Sequence, residues 1–160
     1  MIEMVAVLAI LMTVVSALTA LFLAGARSQI ELNRRFEAQQ AVRVAVDRMR
    51  REVHCSTGVT VTSAASVTVA LPATCPTAGG SAQDIVYDTV LVSSGRYRLR
   101  RAGVVIGDYL TSGDVFTYTA ASSTALAKLS LSLPVNLRPN EGWKTWHLST
   151  DIVLRNTSRS

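Results

Sequence analysis

Few side chains in this sequence are equipped for chemistry, and the most informative of them is a carboxylate. Glu3 stands at the head of a run that carries no charge from Met4 to Ala26. A carboxylate at the end of an apolar helix is expensive in lipid unless it meets a partner, which makes Glu3 a candidate functional group. The plainer alternative is a headgroup-level glutamate favoured by the positive end of the helix dipole. The only two cysteines, Cys55 and Cys75, flank one polar loop. Bridged, they would close a loop of about 20 residues, contribute roughly 3 kcal/mol by restricting the unfolded chain, and point outside the reducing cytoplasm. Unbridged, they are two unrelated free thiols, since spacing alone does not supply the Cα separation that bridging demands. The expectation is a bridge in the exported protein.

Arg96, Arg98 and Arg100 alternate and share one face of a strand, with Arg101 at the turn. Such a face suits an anionic partner: lipid headgroups, an acidic subunit, or nucleic acid as in DNA uptake. The commoner use is a solvated or subunit-contacting surface, because the interleaved Tyr97 and Leu99 point the other way. His54 and His147 stand in no recognisable nucleophile, metal or general-base spacing. There is no Gly-rich phosphate loop and no CxxC. Asp84, Asp88, Asp108 and Asp114 are scattered, lack the alternating oxygen-ligand pattern of a calcium loop, and fit turns and strand ends. Trp143, Trp146 and Tyr118 are expected in core and sheet packing. No catalytic residue, metal site or cofactor is predicted, and the chain is not expected to be an enzyme.

The elements that must position these groups follow from two compositions in one chain. Hydrophobic residues make up 49% and charged residues 17% of the sequence, the formal net charge is +5, and the apolar excess is concentrated in the first 26 positions. Met4 to Ala26 reads as a spanning helix: 23 residues at about 1.5 Å rise reach about 34 Å, enough for a hydrocarbon layer near 30 Å. The run is too long and lacks the flanks of a cleaved secretory signal. Arg27, Arg34 and Arg35 follow it and nothing basic precedes it, so the positive-inside rule alone would place the bulk of the chain in the cytoplasm. The cysteines and the Thr/Ser-rich strands argue for export. The two agree if a basic leader once preceded Met1 and has been removed or left out.

Beyond Arg27 the apolar residues Leu32, Phe36, Val42, Val46, Met49 and Val53 recur close to multiples of 3.5, giving the helix one sticky face. Glu31 to Arg35, Asp47 to Arg51 and Arg48 to Glu52 stand at i,i+4, each pair adding about 0.2–0.5 kcal/mol to an exposed helix. With no proline before His54, one continuous helix of about 80 Å is predicted, and its face from Val42 onward is expected to pack on the chain's own sheet. After Gly58 the period changes to two: Val67, Val69 and Leu71; Leu129, Leu131 and Leu133; Leu148, Ile152 and Leu154. These are half-buried strands. Ser93-Ser94-Gly95 and Asn140-Glu141-Gly142 read as hairpin turns, and Thr74 to Ala82 as a loop. The fold class is therefore α+β: residues 1–26 the transmembrane half of a long helix, 27–54 its amphipathic soluble half, and 55–160 an antiparallel β domain with a disulfide-tethered loop.

The string Met1-Ile2-Glu3-Met4-Val5-Ala6-Val7-Leu8-Ala9-Ile10-Leu11 resembles the opening of prepilin-type proteins, whose mature chains begin Phe-Thr-Leu-Ile-Glu before an apolar run. The helix end Asp47-Arg48-Met49-Arg50-Arg51-Glu52 ahead of a β domain, with Tyr97-Arg98-Leu99-Arg100-Arg101 and Val115-Phe116-Thr117-Tyr118 as later echoes, is similar to the minor pseudopilin J group. The resemblance implies a pilin-like fold and a subunit of a type IV pilus or type II secretion pseudopilus. In that family the glutamate matching Glu3 neutralises the N-terminal amine of a neighbouring subunit, so Glu3 is expected to act in assembly. Other pilin or pseudopilin subunits, the membrane, a prepilin peptidase and an assembly platform are the implied partners. The implied location is a single-pass cytoplasmic membrane protein with an extracytoplasmic domain, passing into a periplasmic or cell-surface filament. The competing expectation is a solitary membrane-tethered ectodomain that binds DNA, wall polymer or another protein.

Overall fold

A computed structural model describes residues 2–138 and 144–154. The expected turn at Asn140-Glu141-Gly142 and the side chain of Trp143 lie outside the described residues. Among the described residues one α-helix, α1 (Ile2–Cys55), is followed by eight strands: β1 (Gly58–Ser63), β2 (Ser66–Leu71), β3 (Gln83–Ser93), β4 (Arg96–Arg101), β5 (Val104–Leu110), β6 (Phe116–Thr119), β7 (Lys128–Val135) and β8 (Trp146–Val153). The fold is α+β with an antiparallel sheet, as the change of period predicts. The chain divides into two compact units, Met1–Phe36 and Glu37–Ser160. The second unit begins within α1, at Glu37, so the later part of the helix is grouped with the β strands.

In the first unit the large apolar side chains point outward, from Met4 through Leu11, Leu18 and Phe22 to Leu23. The hydroxyls of Thr13, Ser16 and Thr19 donate back to the carbonyls of Ile10, Met12 and Val15 at 2.7–2.8 Å. These bonds satisfy the only polar side chains of the run inside the helix itself, the condition for placing them in lipid. The best 18-residue window has a mean hydropathy of 2.5, and α1 is long and apolar enough to cross a bilayer.

In the second unit α1 buries Ala38, Val42, Ala45, Val46, Met49 and Val53, the stretch from Val42 onward that the stripe predicts. They meet Val67, Val69 and Leu71 of β2, Tyr87 of β3, Leu99 of β4 and Leu129, Leu131 and Leu133 of β7 in one apolar cluster. The sheet runs β1-β2-β3-β4-β5-β7-β6, with β8 on the other side of β7. A single pair, Leu110 with Val135, joins β5 to β7. The sheet curls so that the carbonyl of Ala64, in the β1–β2 turn, accepts from the N–H groups of both Val115 and Phe116 at 2.9 Å. The Ser93–Gly95 hairpin forms where expected, between β3 and β4. A second reversal, Ala102-Gly103, carries positive φ at both residues (47° and 80°), the backbone of a tight primed turn matched to strand twist.

Two readings of the sequence are modified. Asp47 turns to Arg50, at 4.0 Å, rather than to Arg51. Tyr118 faces outward on β6, 38% exposed, while Trp146 packs against the core edge.

Cys55, the last residue of α1, is bridged to Cys75 with a Cα–Cα distance of 5.8 Å. The bond ties the segment holding the short 3-10 turn Pro76–Ala78 to the helix end. Reduction is expected to lower the unfolding free energy by about 3 kcal/mol, read as a shift of the urea midpoint with and without reductant.

Candidate assembly and anchoring residues

Glu3 lies in the first turn of α1, immediately before an uncharged stretch whose described large apolar side chains are exposed. Past the uncharged run, Ile30, Leu32 and Phe36 are also open, at 54%, 60% and 67% exposure. Apolar side chains beside Arg27, Arg34 and Arg35 sit beyond a bilayer-spanning segment of ordinary length, where exposure to water is unfavourable by roughly 1.5–3 kcal/mol for each large side chain left uncovered. A simple lipid anchor has no use for them.

The arginine-rich strand divides. Arg96, Arg98 and Arg100 share one face of β4 as the alternation predicts, but neighbouring strands supply carboxylates to it. Arg96 grips Asp108 of β5 through two bonds of 2.9 and 2.7 Å, and Arg98 Nε donates to the same carboxylate at 3.0 Å. Arg100 pairs with Asp88 of β3. The guanidinium of Arg96 also lies 4.0 Å from the centroid of the Tyr109 ring, a cation–π contact. Burial alone would raise the Asp108 carboxyl, but the bonds from Arg96, the Tyr109 N–H and Arg98 outweigh it and hold it below the ordinary range. A polyanion binding this face would have to displace two internal carboxylates.

Arg101 is not a turn residue of that face. It closes β4 on the opposite side, aligned with Tyr97 and Leu99, and reaches the fully buried Glu52 of α1. Arg101 Nε lies 3.1 Å from both carboxylate oxygens and its terminal nitrogen 2.8 Å from Oε1. The Tyr87 hydroxyl donates to Glu52 Oε2 at 2.6 Å and Arg48 Nε to Oε1 at 3.2 Å. Tyr87 and Arg101 are register partners across β3 and β4, so one helical carboxylate pins two adjacent strands. From spacing alone Glu52 reads as half of an exposed i,i+4 pair with Arg48. A signal was present: Ala38, Val42, Ala45, Met49 and Glu52 follow alternating steps of four and three, all buried, which puts the acid on the core stripe.

Burial pushes the Glu52 carboxyl up, yet the combined bonds from Arg101, Tyr87 and Arg48 and the charge of Arg101 bring it below its usual value of 4.5. A carboxyl whose folded-state pKa is depressed contributes stability above its unfolded pKa and loses it as pH falls through the folded one. Stability is therefore expected to decline below about pH 4.5 and more steeply in wild type than in Glu52→Gln, as measured by urea midpoints between pH 7 and pH 3. Burial and the neighbouring Glu52 charge drive the Tyr87 phenol far above its ordinary value.

Among the described residues no three His, Cys, Asp or Glu side chains converge on a possible metal position. No protein-family model, curated protein or solved structure matches the chain.

Proposed function

We propose that this protein is a structural subunit of a type IV pilus or type II secretion pseudopilus, held in the membrane by the first half of α1 and assembled through it. The observation that carries the reading is Glu3 in the first turn of a helix that is uncharged from Met4 to Ala26 and whose described large apolar side chains stay exposed as far as Phe36. A spanning helix needs apolar length alone; a carboxylate at its head is useful when a neighbouring helix brings a positive group to it. The open Ile30, Leu32 and Phe36 extend the same helix surface beyond the bilayer, where other subunits can cover it. The disulfide and the polar, Thr/Ser-rich strands suit an exported domain. The implied partners are other pilin or pseudopilin subunits, a prepilin peptidase and an assembly platform.

In cells that express the matching assembly machinery, the chain is expected in the sheared-filament fraction as well as in membranes. Its confinement to membranes while filaments form from other subunits would favour the solitary tethered ectodomain.

A further inference from the structure

Among the described residues, the sheet has an end strand that is left open. Among the described residues β8 pairs only with β7, over eight residues in unbroken register from Trp146–Val135 to Val153–Lys128. The other end strands are blunted: the β1 ladder is interrupted between Val61 and Ser63, and β6 is four residues long. The Leu154 N–H donates to the Ala127 carbonyl at 2.8 Å, which sets the phase of the ladder. In an antiparallel pair the bonded positions alternate, so the N–H and C=O groups of His147, Ser149, Asp151 and Val153 face away from β7. The strand has no proline, glycine or lysine, the residues that commonly protect an edge.

Charge flanks this edge on its inner side. A groove between α1 and β8 is lined by Arg43, Val46, Asp47, Arg50, Leu148 and Thr150. The Arg43 guanidinium sits 5.3 Å from the centroid of the Trp146 ring, and Arg50 donates to the Thr150 hydroxyl at 2.9 Å. Arg43 has no carboxylate partner among the described residues, and Arg50 has only exposed Asp47 at 4.0 Å. The two guanidiniums therefore reach β8 four residues apart. A strand added to β8 would present alternate side chains to them, with Asp47 between.

We infer that the free edge of β8 is a docking site for an extended segment of a partner protein carrying two acidic side chains four residues apart, both on the face turned to α1, with an uncharged one midway. Backbone bonds to β8 supply the affinity and Arg43 and Arg50 the selectivity, as in other cases of strand addition. Residues 155–160 carry Arg155 and Arg159 and no aspartate or glutamate, so this segment lacks the complementary charge. This docking goes beyond the filament reading and does not depend on it.

The test uses the full chain in non-ionic detergent and a fluorescent peptide, Thr-Asp-Thr-Val-Thr-Asp-Thr, beside its counterpart with lysine at both aspartates. Anisotropy is expected to show saturable binding of the acidic peptide and about tenfold or weaker binding of the lysine peptide. Ser149→Pro removes an outward N–H without touching the β7 ladder and is expected to lose the acidic peptide by about tenfold. Arg43→Glu with Arg50→Glu should invert the preference, which keeps the test decisive if Ser149→Pro fails to fold. Equal binding of the two peptides, no saturable binding of the acidic one, or unchanged preference in the double reversal overturns the inference. So does self-association through β8 that the acidic peptide fails to displace, which would assign the edge to a second copy.

Discussion

Arg101→Ala is expected to destabilise the β unit by about 3–5 kcal/mol, a large share of the 5–15 kcal/mol typical of a whole domain. The reason lies in Glu52, which has no exposure to water and meets Arg101 through an Nε–H shared by both carboxylate oxygens and a terminal nitrogen 2.8 Å from Oε1. Its other countercharge, Arg48, is 44% exposed and attached by one bond of 3.2 Å, so it does not replace a guanidinium that is 14% exposed. Removing Arg101 leaves a carboxylate in the core with too few donors, and the carboxyl must either stay charged and poorly paired or take up a proton. Replacing the group as a unit, with Glu52→Leu, Tyr87→Phe and Arg101→Met together, is expected to recover most of the loss, because no buried polar atom is then stranded. Urea unfolding of both variants beside wild type measures the difference. A loss under about 1 kcal/mol for Arg101→Ala would show that the pin between α1 and the two strands contributes little.

Glu3→Ala is expected to remove most or all incorporation into a filament while leaving membrane insertion and the β domain as they were. In the proposed assembly the carboxylate meets the N-terminal amine of another subunit inside a bundle of apolar helices. Deleting it leaves an ammonium unpaired in low dielectric, a change that typically destabilises by about 3–5 kcal/mol, or roughly two to three and a half orders of magnitude in association at each contact. Insertion should not suffer, since the helix becomes more apolar. Glu3→Gln, which retains shape and hydrogen bonding but no charge, should be nearly as defective. Comparing sheared-filament and membrane fractions of the variants with wild type reads the effect, and equal incorporation of Glu3→Ala would leave a simple tether.

The parts of the fold legible in the sequence are those where one periodicity holds over many residues. The uncharged run marks the first half of α1, and the stripe from Val42 to Val53 marks the packed face of the second half. The alternations at Val67–Leu71 and Leu129–Leu133 are β2 and β7. β5 and β6 stayed unread because their burial is uneven: Val104 and Val105 face water, and in β6 only Phe116 is buried. Strand order was out of reach for a related reason. β5 meets β7 through one residue pair, and the curl closes through Ala64 backbone bonds that leave no trace in side-chain type.

The arginines show the same limit at the level of a site. That Arg96, Arg98 and Arg100 share a face follows from the period of two, but the carboxylates that neutralise them arrive otherwise: Asp88 as the register partner of Arg100, and Asp108 from the irregular stretch of the β4–β5 ladder. Arg101 looked like a turn residue because the period was not continued from Tyr97 and Leu99 to the next inward position. Glu3 needed no register to be noticed, because a single charge at the head of an apolar run is conspicuous.

Photocrosslinking from the apolar half of α1 tests assembly through that helix most directly. Leu11 is 56% exposed and lies two turns beyond Glu3, so a photoreactive residue placed there reports what covers the helix in the cell. With the assembly machinery active, the filament reading predicts protein–protein adducts to other pilin-type subunits, lost when the machinery is inactivated or when Glu3→Ala is added. Adducts to lipid alone in the wild-type chain, unchanged by either perturbation, would contradict it.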